Sequence, residues 1–194
     1  MSLIVAIKRD GVVYFGADTR TTRGDSFSSH LYPDDRKVVK VGSCFVAACG
    51  IVSNIRIMTS HPEWFELDGR PLTKKHIVTR IIPEYYELIK DRGHFDKGER
   101  NEGAPNSECC FLISDGDRLF KVFDDFEVAE LNEIGFIGCT DSLARTVADL
   151  MGKDADPEEV ILKCQRLSAM VDEGVGPPYV LVNTRDKNFK IVEV

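Results

Sequence analysis

The chain has 194 residues, 43% hydrophobic and 29% charged, with a net charge of −7 at pH 7. That length fits a single domain over residues 1–194 with a sizeable core, and the acidic balance argues against nucleic acid, which wants a basic face. No window approaches the ~18 apolar residues that span a bilayer, and the first apolar stretch is too short and too polar-flanked for a secretory signal.

The chain opens MSLIVAIKRDGVVYFGADTRTT. Two apolar, β-branched runs flank Asp10-Gly11, a strong hairpin signal. Strands are expected over 2–8, 11–18, 37–41 and 44–48. Residues 51–60 form a short helix, broken by His61-Pro62. Thr73 caps a longer helix, KKHIVTRIIPEYYELIKDRG, whose Ile77, Ile81, Tyr85, Leu88 and Ile89 share one face; Pro83 is placed to kink it. The charged, Gly-rich segment 91–107 reads as a loop.

Strands return at CCFLIS and DRLFKVF, joined by an Asp-Gly turn, then near FEVAEL and at IGFIG. Two helices follow. The first runs from Asp141 to Gly152 with Leu143, Val147 and Leu150 on one side. The second is capped by Asp156 with Pro157 at its first position. PYVLVNT and FKIVEV close the chain as a hairpin. Runs of strands alternating with pairs of helices, linked mostly by hairpins, predict an α+β fold: a four-layer αββα sandwich of two antiparallel sheets.

Six cysteines occur, at 44, 49, 109, 110, 139 and 164. None forms a CxxC pair or a zinc-type spacing with histidine, so no metal site is expected. Several lie in apolar runs, where Cys acts as a small core residue, and a reducing cytoplasm fits this usage. The sequence holds no GxSxG, no P-loop and no HExxH, and no Ser/His/Asp set is evident.

GADTRTT after an N-terminal hairpin, then DRKVVKV, FVAACG opening a helix, FIGCTDSLA, and Val171-Asp172-Glu173-Gly174 before the last hairpin occur in the order and spacing of a known family. The chain resembles the proteasome β-type N-terminal nucleophile hydrolases, most closely the short, propeptide-free bacterial members. In that family the hydroxyl of the mature N-terminal residue attacks an amide, and its own α-amine is the base. An α-amine with an ordinary pKa near ~8 suits that task at neutral pH.

The resemblance places the nucleophile at Ser2, where the family usually has Thr. Met1 before a small Ser is a substrate for methionine removal; with Met1 retained, the Ser2 nitrogen is an amide and the base is missing. Asp18 matches the family acid at the end of the second strand, and Arg20 the arginine two residues later. Lys37 matches the lysine that lowers the nucleophile's pKa and pairs with the aspartate. Gly50 matches the oxyanion-hole glycine, and Asp172 the acid near the amine. Taken singly, Asp18 reads equally as a turn residue, Lys37 as an edge lysine and Gly50 as a strand-to-helix turn. Two serines of the family pattern are replaced: Cys139 follows Gly138, with a weaker donor, and Val175 has no side-chain hydrogen bond to give.

The resemblance implies a peptidase of identical subunits in a ring, taking peptide or unfolded protein, with an ATPase unfoldase as a further partner and no cofactor, nucleic acid or membrane. Two alternatives stand beside it: a proteasome-type subunit that assembles but cuts weakly or not at all, and an amidohydrolase of small amides.

Overall fold

The computed structural model describes residues 2–23, 26–29, 36–91 and 106–193. Strands β1 (Leu3–Arg9) and β2 (Val12–Asp18) pair antiparallel with Ile4 opposite Ala17. The turn between them uses Asp10 and Gly11 at φ 51° and 68°. Two successive left-handed residues match the right-handed twist of the strands, which is why Asp-Gly is favoured there. A short ribbon follows, β3 (Arg20–Arg23) against β4 (Ser26–Ser29). RTTR and SFSS hold a single apolar residue, too little to predict a strand from alternation, and these strands are additional to the expected ones.

Next come β5 (Val38–Val41) and β6 (Cys44–Gly50), then α1 (Val52–Thr59), a 3-10 turn at Pro62–Phe65 and α2 (Lys74–His76). Thr73 caps α2 by accepting from the His76 amide at 3.1 Å. The chain widens to a π turn over Ile77–Ile81 and then continues as α3 (Ile82–Asp91). The Ile82 amide bonds back to Ile77, just before Pro83, which has no N–H to offer. The disturbance expected at Pro83 is therefore this π segment. Most of the 91–107 loop lies outside the described residues.

The second half holds β7 (Cys109–Ser114), β8 (Leu119–Val122), β9 (Val128–Leu131) and β10 (Ile134–Gly138). Helices α4 (Asp141–Met151) and α5 (Pro157–Val171) follow, then β11 (Tyr179–Asn183) and β12 (Lys190–Val192). Asp156 caps α5 by accepting from the Glu159 amide at 3.0 Å.

The strands form two five-stranded antiparallel sheets, in the orders β10-β1-β2-β11-β12 and β5-β6-β7-β8-β9. Period-two alternation gives each sheet two apolar faces. In β1, Leu3, Val5 and Ile7 pack under α4 and α5 with Ala144, Val147 and Ile161. Ile4 and Ala6 face the other sheet, where Phe15, Phe45, Ala47 and Leu112 fill the middle layer. The outer face of the second sheet packs Val46, Ala48 and Phe111 against Ile57, Ile81 and Ile89. The result is the αββα sandwich expected from the order of elements.

One helix face differs from the expectation. Leu150 was expected on the packed face of α4 but is 83% exposed; Met151, four residues after Val147, takes that place in the core. In the bulky stretches HPEWF and PEYYEL, Trp64, Phe65 and Tyr85 are buried in the core. Among the described residues no helix is long and apolar enough to cross a membrane.

Candidate active site

Because β1 is an interior strand with β10 on one side and β2 on the other, Ser2 enters the sheet and does not lie at its edge. Ser2 is buried, and by alternation it shares the inward face of Ile4 and Ala6. Its carbonyl accepts from the Cys139 amide at 3.0 Å, one step beyond the Leu3–Gly138 pairing of β1 with β10. The next residue points the other way: the Leu3 amide donates to Asp18 Oδ1 at 3.0 Å.

Asp18 ends β2 and is 1% exposed. Its second oxygen accepts from the Arg20 amide at 3.1 Å and from Lys37 Nζ at 2.7 Å. Lys37 sits just before β5, in the opposite sheet, and also donates to the Arg20 carbonyl. The pair therefore bridges the two sheets beside Ser2. Burial pushes the Asp18 carboxyl above its ordinary value and the Lys37 ammonium below its own. Each partner opposes the other's shift through charge and the shared hydrogen bond. Removing either partner would leave a charge in a nearly dry place.

Gly50 ends β6 at φ +127°. A Cβ there would lie 2.1 Å from the Glu108 carbonyl oxygen, so only glycine fits. Gly50 pairs with Cys109, and the next amide, Ile51 N–H, reaches back to Glu108 O at 3.4 Å. In an antiparallel ladder neighbouring amides alternate sides. The Gly50 N–H is thereby turned away from β7, toward the side where β5 and Lys37 lie.

Asp172 follows α5. Its Oδ1 accepts from the Gly174 amide at 2.7 Å, and it takes a hydrogen bond from the Cys139 thiol. That thiol bond, then the Gly174 amide, holds the Asp172 carboxyl below its ordinary value. Cys139 Sγ also lies 3.3 Å from the Ser2 carbonyl oxygen. Burial, and then its bond to Asp172, push the thiol's own pKa up. Arg20 reaches this turn as well: Nη1 donates to the Glu173 carbonyl at 2.7 Å, and a Cβ on Gly176 would collide with the guanidinium at 2.5 Å. Val175 is 0% exposed and packs in the core under α5, with Leu3 and Ile161.

The structure thus gathers Ser2, Asp18, Lys37, Arg20, Cys139 and Asp172 around the first residues of β1, with Gly50 opening α1 across the inter-sheet space. One residue that the sequence reading passed over belongs with them. Gln165 of α5 is fully buried and donates from Nε2 to the Leu3 carbonyl at 3.0 Å and the Gly16 carbonyl at 3.3 Å. It ties together the two strands that carry Ser2 and Asp18. Its signal was legible: a polar residue inside the apolar stripe Val160, Ile161, Cys164. Among the described residues no group of three or more His, Cys, Asp or Glu side chains is placed to hold a metal ion.

No protein-family model and no curated protein matches the sequence. Solved structures do. BPH of Thiobacillus denitrificans superposes with a TM-score of 0.72 at 20% identity, over 94% of this chain and 97% of that one. The same protein in complex with epoxomicin gives 0.69 at 19%, over 99% and 100%. A Gly-1 mutant of Anbu from Hyphomicrobium sp. strain MC1 gives 0.73 at 17%, over 100% and 87%. HslV from Trypanosoma brucei gives 0.63 at 13%, over 93% and 98%.

The fold is that of the proteasome-type N-terminal nucleophile hydrolases. At these identities it is the fold that is shared, end to end. The roles of individual side chains rest on the geometry around Ser2.

Proposed function

We propose that the chain is a single-domain subunit of a proteasome-like peptidase that cleaves amide bonds with Ser2. The observation that carries this reading is the buried Asp18–Lys37 pair at 2.7 Å, hung from the Leu3 amide directly beside Ser2. An ion pair drawn from two different sheets and 90% or more out of water is costly to keep for stability alone. A positive charge beside a hydroxyl, by contrast, favours its ionisation.

With Met1 removed, the Ser2 amine accepts the hydroxyl proton as Oγ attacks the substrate carbonyl. The Gly50 N–H donates to the oxyanion that forms. Collapse breaks the C–N bond, the departing amine takes the proton held by the Ser2 amine, and an ester remains on Oγ. Water, giving its proton to the same amine, hydrolyses that ester. Lys37 stabilises the ionised oxygen, Asp18 holds Lys37, and Asp172 with Cys139 orients the amine end. Arg20 braces the turn after Asp172. Identical subunits close into a ring in the cytoplasm and enclose the site, which takes unfolded peptide delivered by an ATPase unfoldase; closed symmetry is the usual solution for identical subunits. That BPH was solved with epoxomicin supports the peptidase reading.

A second reading, an assembling but silent subunit, is favoured by Val175, whose apolar side chain stands where the family pattern has a serine. The test separates them. Forms with and without Met1 are prepared, confirmed by mass, and assayed with fluorogenic peptides and epoxomicin. The form lacking Met1 is expected to cleave and the other to be nearly inactive. Equal activity would exclude the N-terminal mechanism. Silence in both, with a ring in light scattering, would favour the scaffold; a monomer that hydrolyses small amides would favour the amidohydrolase.

A further inference from the structure

Two cysteines outside the proposed machinery face one another across the second sheet. Cys49 of β6 is the register partner of Cys110 of β7. Both side chains lie on the inter-sheet face, packed against the middle layer with Ala47 and Leu112. Their neighbours Ala48 and Cys109 point the opposite way, under the helices. Both thiols are half-buried and free, and they are hydrogen-bonded to each other.

In-register partners in a hydrogen-bonded antiparallel pair have Cα atoms about 5.5 Å apart, inside the ~4.4–6.8 Å span of a disulfide. The remaining cysteines are placed differently. Cys44 and Cys164 are buried in separate cores, and Cys109 is turned toward Tyr85 and the Ile51 carbonyl.

We propose that Cys49 and Cys110 form a peroxide-sensitive dithiol whose disulfide locks the β6–β7 edge at Gly50. The thiolate of Cys110 attacks the terminal oxygen of a hydroperoxide, breaking the O–O bond. This leaves a sulfenic acid on Cys110 and releases an alcohol, or water from hydrogen peroxide. The Cys49 sulfur then attacks the Cys110 sulfur and loses its proton, and the hydroxyl leaves as water. Two thiols lose two electrons to one peroxide, and no other reductant or oxidant is needed. The hydrogen bond from Cys49 lowers the Cys110 thiol below its ordinary value, which favours thiolate at the attacking sulfur.

The position gives the bond a consequence. Cys49 immediately precedes Gly50, and Gly50 is already packed against the Glu108 and Cys109 backbone with no room for a Cβ. Any draw of Cys49 toward β7 passes straight to the Gly50 amide. The dithiol exists whether or not Ser2 cleaves peptides; only an effect on turnover rests on the reading above.

The full chain, reduced and then exposed to hydrogen peroxide, is titrated for thiols after denaturation and mapped by mass spectrometry. The titre is expected to fall from six to four, with one linkage joining the peptide of Cys49 to that of Cys110 and dithiothreitol reversing it. Cys49→Ser and Cys110→Ser should each abolish the linkage, while Cys44→Ser and Cys109→Ser should keep it. Amide exchange at Gly50 and Ile51 should slow in the oxidised chain, a readout independent of catalysis. A titre that stays at six, oxidation confined to Cys139, or sulfinic acid on Cys110 with Cys49 still free would overturn the proposal. So would a linkage that leaves exchange at Gly50 unchanged. A chain that cleaves no peptide in either redox state, yet forms the bond and slows that exchange, would refute the peptidase and keep the dithiol.

Discussion

Two aspartates flank the start of β1, and they are held in opposite ways. Asp18 is sealed between the sheets, and burial raises its carboxyl pKa even though Lys37 and two backbone amides donate to it. Asp172 lies on a turn at the rim, and a thiol and one amide lower its carboxyl pKa. The first acts through a charge kept at a high desolvation cost, so its partner cannot be removed without penalty. The second acts through an ordinary hydrogen bond near solvent, so its partner is replaceable. The Lys37 side of this cluster is rigidly specified, and the Asp172 side is loosely specified. The resemblance read from the sequence carries the same contrast: Asp18 and Lys37 match its pattern, whereas Cys139 and Val175 stand where that pattern has serine.

The largest effect should come from breaking the sealed side. Lys37→Ala is expected to lower kcat/KM by more than about a thousandfold, near the upper part of what one activating group supplies, and to cost about 3–5 kcal/mol in denaturant unfolding by leaving Asp18 unpaired. Ser2→Ala should abolish turnover as fully while changing stability by about 1 kcal/mol or less. The double variant Asp18→Asn with Lys37→Met, which removes both charges at similar volume, should recover most of the stability and none of the activity. A double variant as unstable as Lys37→Ala would show that packing, and not desolvated charge, holds this place together.

The pH profile sharpens the same side. Lys37 is lowered mainly by burial, so its charge is lost as pH rises at a point below the usual lysine value. The alkaline limb of kcat/KM should therefore fall early. The sign for stability is the opposite. In the window between the lowered value and the usual one, the unfolded chain binds the extra proton, so Lys37 contributes stability that grows as pH rises through that window. Activity falling while unfolding free energy holds or rises is the expected pattern. A parallel fall of both would assign the alkaline limb to unfolding.

How much of this was legible depended on whether the deciding physics was local. Asp10-Gly11 announces its turn because two left-handed residues are needed there and few sequences supply them. The apolar runs gave the strands and the alternation of strands with helices gave the layers, because each element buries a face of its own period. The β3–β4 ribbon was invisible because RTTR and SFSS carry no run of apolar residues from which a strand could be read. Leu150 was misplaced because a helix face judged by spacing alone cannot tell residue 150 from residue 151 when both are large and apolar. The site was legible only through the resemblance. Nothing in Asp18, Lys37 or Gly50 taken singly marks them, since their meaning comes from a contact between two sheets. The Cys49–Cys110 pair needed the strand register, whereas Gln165 stands out in the sequence as a polar residue in an apolar stripe and only its partners needed the helix packing.

A middling effect is expected at Val175. Its side chain is fully buried in the cluster that holds Leu3 and Ile161, so Val175→Ser should not rebuild the missing support. It should cost about 1–3 kcal/mol, the usual range for burying a hydroxyl where methyls packed, and leave kcat within about twofold. A clear gain in kcat would mean that the turn after Asp172 can rotate residue 175 toward the amine, and would make the rim more plastic than its hydrogen bonds to Arg20 imply.

The smallest effect, and the most direct test of the contrast, is at Cys139. The thiol's bond is the largest cause of the lowered Asp172 carboxyl. Cys139→Ala removes that donor and leaves the Gly174 amide, so the Asp172 pKa, followed by carboxyl carbon shifts in NMR, should move up toward the ordinary value. Cys139→Ser supplies a stronger donor and should hold it down at least as well. Asp18 should titrate above the ordinary value in all three chains, because its environment does not include residue 139. The sign carries to stability: a lowered carboxyl contributes stability that is present above the ordinary pKa and is lost as pH falls through the lowered one. Cys139→Ala should thus narrow the acid tolerance slightly while Cys139→Ser preserves it. If Asp18 moves with Asp172 in the alanine variant, the two sides of the site are coupled through Ser2, and the division into a rigid side and a replaceable one fails.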